Sequence, residues 1–160
     1  LNIKNKNIIK MGYPAAALDT IKKSELAASF YKILDDTKPS EVFLPHWGDV
    51  HSDHEVVFNA VNSCTKSFRS KNIKTVLTYE TMSETHLKMT PESSFNPNFY
   101  INISNFIETK LDILNIYESE IGEHPFPRSI RSVKALSEFR GANSGFEFAE
   151  AFFMLKHIES

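Results

Sequence analysis

Apolar and polar residues follow two distinct patterns along the chain. Four short apolar or β-branched runs, each bounded by turn residues, predict buried strands at 7–11, 41–44, 75–79 and 99–103. Five longer segments repeat apolar residues at helical spacing and predict helices. These run from Asp19 or Thr20 to Pro39, onward from Glu55, from Ser104 to Gly122, from Ile130 to the interruption at Gly141, and over 146–158. The alternation predicts an α/β fold with a mostly parallel sheet covered on both faces.

Residues 80–98 break this pattern. They contain Pro91 and Pro97, many hydroxyl side chains and no apolar period. Long segments of this kind in compact domains are often functional lids, so we predict a long loop here.

A polar decapeptide, residues 45–54 with the sequence PHWGDVHSDH, follows the second predicted strand directly. In open α/β sheets, ligands bind beyond the carboxyl ends of the strands. Histidine is the commonest metal ligand, and aspartate often fixes its tautomer. The decapeptide contains three histidines and two aspartates, so it is a candidate metal site, although an isolated histidine near a strand end is more often an ordinary core or surface side chain.

The spacing within the decapeptide leaves the ligand set open. His51 and His54 are three residues apart and would project from one face of a helical turn, as two ligands or as one ligand and one reacting group. A catalytic zinc ion usually has three protein ligands. Either His46 or Asp49 folds back to complete the set, or another segment supplies the rest.

Composition sets limits on the function. The 160 residues have 41% hydrophobic and 24% charged content and a formal net charge of −2, which is typical of one globular domain. The 18 lysines and arginines form no basic block, which argues against a nucleic-acid partner. No apolar run reaches the roughly 20 residues of a membrane span. The single cysteine, Cys64, fits a reducing compartment, so we predict a cytoplasmic protein, with a homo-oligomer left open.

Five segments together resemble one known family. Residues 45–61, PHWGDVHSDHEVVFNAV, resemble the P-x-x-x-D-x-H-x-D-H signature of the LmbE/PIG-L family of zinc-dependent N-acetylglucosaminyl deacetylases. Four further segments resemble that family in the same order, namely VLTYETMSET (76–85), FNPNFYINIS (95–104), HPFPRS (124–129) and RGANSGFEFAEAF (140–152). The resemblance covers most of the chain.

The resemblance implies a Rossmann-like, three-layer sandwich that binds zinc or another divalent metal. Its substrate would be an N-acetylated amino sugar or a glycoconjugate. By the same resemblance His54 is a zinc ligand, His51 faces the substrate carbonyl, and Asp53 holds His51 in place. One departure is His86, where the family often has an acidic residue in the lid segment.

The resemblance also identifies something that the sequence lacks. The other two zinc ligands and the general base of the family come from an N-terminal H-P-D-D-x-E motif at the end of the first strand. This sequence contains no such motif and opens on Leu1 rather than methionine. We therefore expect residues 1–160 to be the C-terminal portion of a single deacetylase domain whose first strand is missing.

Three further residues are predicted to contact the substrate. Asp49 lies in the decapeptide, Tyr79 ends the third predicted strand, and Arg128 follows two prolines that fix its backbone. Arg128 could equally hold a helix start against a neighbouring element. Arg140 and Glu150 are interpreted as an ion pair between the last two predicted helices.

Three functions remain open. The first, which the resemblance implies, is a metal-dependent hydrolase that removes the acetyl group from an N-acetylated amino sugar or its conjugate by water attack on the amide. The second is a catalytically inactive sugar-binding or assembly protein of the same fold. The third is a metal-binding module that uses His46, His51 and His54 together.

Overall fold

The computed structural model describes residues 3–159 of the chain. This part of the chain contains four α-helices, which are α1 (Lys23–Thr37), α2 (Ser52–Cys64), α3 (Ile107–Asn115) and α4 (Ile130–Ser144). It contains four strands, which are β1 (Glu41–Pro45), β2 (Thr75–Tyr79), β3 (Phe99–Asn102) and β4 (Ala149–His157). Short 3-10 helices lie at Asn5–Asn7, Leu18–Thr20, Pro91–Ser93 and Glu118–Glu120.

The four strands form one mixed sheet in the order β1-β2-β4-β3. β1 and β2 are parallel, with Glu41 opposite Thr75 and Pro45 opposite Tyr79. β4 is antiparallel to both β2 and β3. The predicted α/β fold is confirmed, although with one parallel pairing the sheet is mixed rather than mostly parallel.

Helices cover both faces of this sheet. On one face, Val42 and Leu44 of β1 pack with Phe58 and Val61 of α2, and α1 adds partly buried side chains to this cluster. Phe43 alternates with these residues and points to the opposite face. There α3 and α4 pack together through a second cluster, which is Ile103, Ile107, Leu111, Val133 and Phe148. The predicted three-layer arrangement follows from this alternation.

The predicted last helix, 146–158, is wrong because these residues form the central strand β4. The prediction rested on the spacing of the apolar residues, and the alanine, glutamate, methionine, leucine and lysine of this segment also favour a helix locally. Gly145, at φ +77°, ends α4 in a left-handed conformation and turns the chain back. Pairing on both edges of β4 then overrides the local preference.

The predicted first strand, 7–11, is also wrong. Asn5–Asn7 form a 3-10 turn, and Ile8 and Ile9 are more than half exposed. An apolar run becomes a strand only where a sheet offers an edge to pair with, and this run pairs with no strand of the described sheet.

The helix ends also differ from the predicted ones. α2 begins at Ser52, three residues before Glu55, because His51 caps it through a hydrogen bond from the Asp53 N–H to the imidazole Nδ1. α3 ends at Asn115 and does not reach Gly122. α4 continues through Gly141, where the absent side chain lets the backbone of residues 146–147 approach closely.

None of the helices within residues 3–159 combines the length and the apolar character that a membrane crossing requires.

Candidate active site

The decapeptide leaves the sheet at the carboxyl end of β1 and leads into α2, as predicted. Its polar side chains divide into two groups by burial. His46 and Asp49 are 0% and 1% exposed, whereas His51, Asp53 and His54 are partly exposed. The partly exposed group is therefore the one that can meet a ligand.

His54 is held by a buried carboxylate. Its Nδ1 donates a hydrogen bond to Asp49 Oδ2 at 2.7 Å, and 27% of its side chain is exposed. This hydrogen bond, opposed by burial, raises the pKa of His54. In the neutral ring the proton is then on Nδ1, which leaves the Nε2 lone pair for a ligand. A histidine bonded in this way to a carboxylate is the usual arrangement of a metal ligand.

Asp49 was predicted to contact the substrate, but the structure gives both of its oxygens protein partners. Oδ2 accepts from His54, and Oδ1 accepts from the Thr85 hydroxyl at 2.7 Å. Thr85 is itself 3% exposed. In this structure Asp49 is therefore a buried hydrogen-bond acceptor that orients the ring of His54.

His51 lies beside His54, as the spacing of three residues predicted. The two rings stack with centroids 4.9 Å apart and 18° between their planes. His51 Nδ1 accepts the Asp53 N–H at 3.1 Å, so the proton of the neutral ring is on Nε2. His51 can donate that proton in a hydrogen bond to a carbonyl oxygen.

The carboxylate of Asp53 was predicted to hold His51, and the structure shows a different set of contacts. Its two oxygens accept the N–H groups of Ala16 and Leu18 at 2.7 and 3.0 Å. Asp53 therefore fixes the segment before α1 against the start of α2. It reaches His51 through its backbone N–H and not through its carboxylate.

His46 lies away from the other two histidines. Its Nε2 bonds to the carbonyl oxygen of Ser93 at 3.0 Å, its ring packs on Trp47 and Phe95, and burial lowers its pKa. Among residues 3–159 no three histidine, cysteine, aspartate or glutamate side chains are grouped so as to hold a metal ion. The structure therefore does not support a metal module built from His46, His51 and His54.

The start of the 80–98 loop is anchored by a buried ion pair that sequence reasoning missed. Arg140 donates two hydrogen bonds to Glu80, at 2.8 and 2.6 Å, and both side chains are less than 10% exposed. His86 adds a third hydrogen bond to Glu80 at 2.9 Å. The predicted Arg140–Glu150 pair is wrong, because Glu150 lies on β4 and bonds Lys110 at 2.7 Å.

We predict that the ion pair of Glu80 with Arg140 and its hydrogen bond with His86 make the free energy of unfolding depend on pH in the acid range. Burial acts to raise the pKa of Glu80, but the hydrogen bonds from His86 and Arg140 outweigh it and hold the pKa below its ordinary value of 4.5. A lowered folded-state pKa stabilises the fold above pH 4.5, and this contribution disappears as the pH falls through the lower folded-state value. Urea denaturation of wild type and Glu80→Gln should therefore give free energies of unfolding that converge below pH 4.5. Curves that stay parallel from pH 7 to pH 3 would contradict this.

Arg128 and Tyr79 line one cavity of about 760 Å³ on the α3 and α4 face of the sheet, whereas none of residues 45–54 lines it. Arg128 is engaged with protein groups, donating to Ser83 Oγ and to the carbonyl oxygen of Glu120, both at 2.7 Å. It thus joins the 80–98 loop to the segment after α3. Burial, followed by the charge of Asp49, raises the pKa of Tyr79, so its phenol stays a neutral donor.

No family model matches the chain. Among solved structures, the chain is similar to the conserved protein TT1542 from Thermus thermophilus, with a TM-score of 0.70 and 21% identity over 94% of this chain. It is also similar to N,N'-diacetylchitobiose deacetylase from Pyrococcus horikoshii in complex with its inhibitor MPG, with a TM-score of 0.66 and 18% identity over 94% of this chain. The chain has a deacetylase-like fold. It spans less than two thirds of either protein, 66% and 58% of their lengths.

Proposed function

We propose that this chain carries part of the active site of a zinc-dependent N-deacetylase that acts on an N-acetylated amino sugar or its conjugate. The proposal rests on His54, which lies in the first turn of α2, where the chain continues from β1. Its Nδ1 is bound to the buried Asp49, and its Nε2 is left for a cation. The fold shared with a chitobiose deacetylase supports the same reaction class. The lone cysteine supports a reducing, cytoplasmic setting.

His54 fits a zinc ion as one ligand, but residues 3–159 do not provide a complete ligand set. We therefore propose that two further ligands and the general base come from a segment outside residues 1–160. β1 is an edge strand within the described sheet, and a strand added to its free edge would end beside the decapeptide. Both similar structures are longer than this chain, which is consistent with a further segment in the full-length protein.

The roles proposed for the residues of this chain follow from their hydrogen bonds. When bound, zinc supplies Lewis acidity that makes water a nucleophile near neutral pH. His51 donates its Nε2–H to the amide oxygen, and this hydrogen bond strengthens as negative charge develops there. Water adds to the carbonyl carbon and gives a proton to the proposed general base, the C–N bond breaks, and that proton passes to the departing amine as acetate forms. Asp53 holds His51 through its backbone N–H, and Tyr79 and Arg128 bind sugar or aglycone groups at the cavity.

The incomplete ligand set also favours one alternative, a catalytically inactive sugar-binding or assembly protein of this fold. The two functions differ in what the full-length protein does with an N-acetylglucosamine conjugate. An enzyme releases acetate and loses this activity when zinc is chelated. Saturable sugar binding without release of acetate, in protein supplied with zinc, would favour the inactive alternative.

His51→Ala is predicted to keep zinc and to lower turnover by at least about 10²-fold, within the range for losing a general acid or oxyanion partner. Zinc should remain because His54, and not His51, is the proposed ligand. The measurements are the zinc content and kcat of the full-length protein. His124→Ala, which removes an exposed histidine far along the chain, is the matched control and should leave both unchanged. Full turnover in His51→Ala would contradict the assigned role.

A further inference from the structure

We propose that Asp49 and Thr85 are positioning residues, which fix the tautomer of His54 and couple it to the 80–98 loop. This inference rests on the proposed function only for the identity of the cation at His54. The coupling itself is a property of hydrogen bonds within residues 3–159. Thr85 has no role in the sequence-based prediction.

The hydrogen bonds of Thr85 have a fixed direction. Its hydroxyl oxygen accepts the backbone N–H of Thr81 at 2.6 Å, and an amide nitrogen can only donate. The hydroxyl proton is therefore free to point at Asp49 Oδ1, 2.7 Å away. Because a carboxylate only accepts, Asp49 accepts the hydrogen bond from the Thr85 hydroxyl on Oδ1 and the one from His54 Nδ1–H on Oδ2.

The Asp49 carboxylate, which accepts hydrogen bonds from Thr85 and His54, is buried, so water cannot easily take the place of either donor. Asp49 is 1% exposed and Thr85 is 3% exposed. A buried carboxylate that loses one donor is left with an unsatisfied charged oxygen, and the cost in free energy favours an arrangement in which that oxygen has another donor. Since the hydrogen bond to Asp49 is what holds the proton of His54 on Nδ1, such a rearrangement lets the ring adopt the other tautomer, in which the protonated Nε2 does not bind a cation.

A second contact joins the same two segments. The backbone N–H of Val50 donates to the carbonyl oxygen of Glu84 at 3.3 Å. The turn that carries Thr85 is closed by the carbonyl of Thr81, which accepts from the N–H groups of Glu84 and Thr85 at 3.0 and 2.9 Å. Glu80, just before this turn, is the residue held by Arg140. These contacts fix the position of Thr85 in the loop. Through the hydrogen bond from Thr85 to Asp49, they also fix the position of His54.

The test compares Thr85→Val, which removes the hydroxyl and keeps the shape, with Thr85→Ser, which keeps the hydroxyl. Long-range ¹H–¹⁵N correlation spectra of the metal-free full-length protein, recorded at a pH at which the ring of His54 is neutral, report its tautomer. Wild type and Thr85→Ser should show the proton on Nδ1. Thr85→Val, and more strongly Asp49→Asn, should show a population with the proton on Nε2.

Zinc affinity gives a second measurement on the same variants. Loss of a partner of this kind typically lowers metal affinity 10- to 100-fold, so we expect this range for Asp49→Asn and its lower end for Thr85→Val, with Thr85→Ser close to wild type. An unchanged His54 tautomer in Thr85→Val overturns the proposal, and it does so even if Asp49→Asn fails to fold. A changed tautomer in a protein that binds no zinc supports the positioning roles and refutes the proposed function.

Discussion

His54→Ala is expected to abolish stoichiometric zinc binding by the full-length protein and to lower the rate of deacetylation by at least about 10³-fold. The variant removes the proposed zinc ligand, whose Nδ1 is bound to Asp49 and whose Nε2 has no hydrogen-bond partner within residues 3–159. Lewis-acid stabilisation of the transition state is worth several kcal/mol, and each 1.36 kcal/mol is a factor of ten in rate. The loss should therefore exceed that of His51→Ala, which keeps the metal.

Metal analysis and initial rates on an N-acetylglucosamine conjugate measure the two effects. His124→Ala serves as the control, because it removes the same side chain from an exposed position. Added zinc, at concentrations that saturate the wild type, should not restore the deacetylation rate of His54→Ala. Undiminished deacetylation by His54→Ala would remove the basis of the proposed function.

Arg140→Met is expected to lower the free energy of unfolding by about 3–5 kcal/mol, the range for breaking a buried ion pair by removing one partner. The substitution keeps most of the side-chain volume but leaves the Glu80 carboxylate, whose side chain is 7% exposed, without its two shortest donors. His86 alone then remains hydrogen-bonded to it. Urea denaturation at pH 7 measures the change.

Lys110→Met is the matched control for this prediction. Its ion pair with Glu150 has a similar length, 2.7 Å, but the two side chains are 35% and 39% exposed. Exposed pairs contribute about 0–1 kcal/mol, so this variant should be close to wild type. The double variant Arg140→Met/Glu80→Leu should be less destabilised than Arg140→Met, because no buried charge is left unpaired. Equal decreases in the free energy of unfolding of Arg140→Met and Lys110→Met would show that burial does not determine how much the Arg140–Glu80 pair stabilises the fold.

The sequence predicted the α/β fold and the place of the decapeptide because both depend on local patterns. Three strands have a short apolar run between turn residues, and the position of His51 and His54 follows from a strand end and a helical spacing. Their stacked rings at the start of α2 are a direct consequence of that spacing.

The partners of the carboxylates could not be predicted in this way. Asp53 is separated from Ala16 by 37 positions and Asp49 from Thr85 by 36, and no local rule identifies contacts at that distance. The family resemblance implied that Asp53 holds His51, but in the folded chain its carboxylate bonds the N–H groups of Ala16 and Leu18. The wrong prediction for β4 has the same cause. Its residues favour a helix locally, and they form a strand because β2 and β3 pair with them on both sides.

The place of β4 in the sheet also constrains how the protein can be made. β4 is the last element of the described chain, yet it is the strand that joins β2 to β3. A ribosome extends the chain from the N-terminus, so among the described strands β3 has none to pair with until Ala149–His157 has left the exit tunnel. The sheet therefore closes only after nearly all of these residues have been synthesised, and a nascent chain halted before Ala149 would expose the open edges of both β2 and β3.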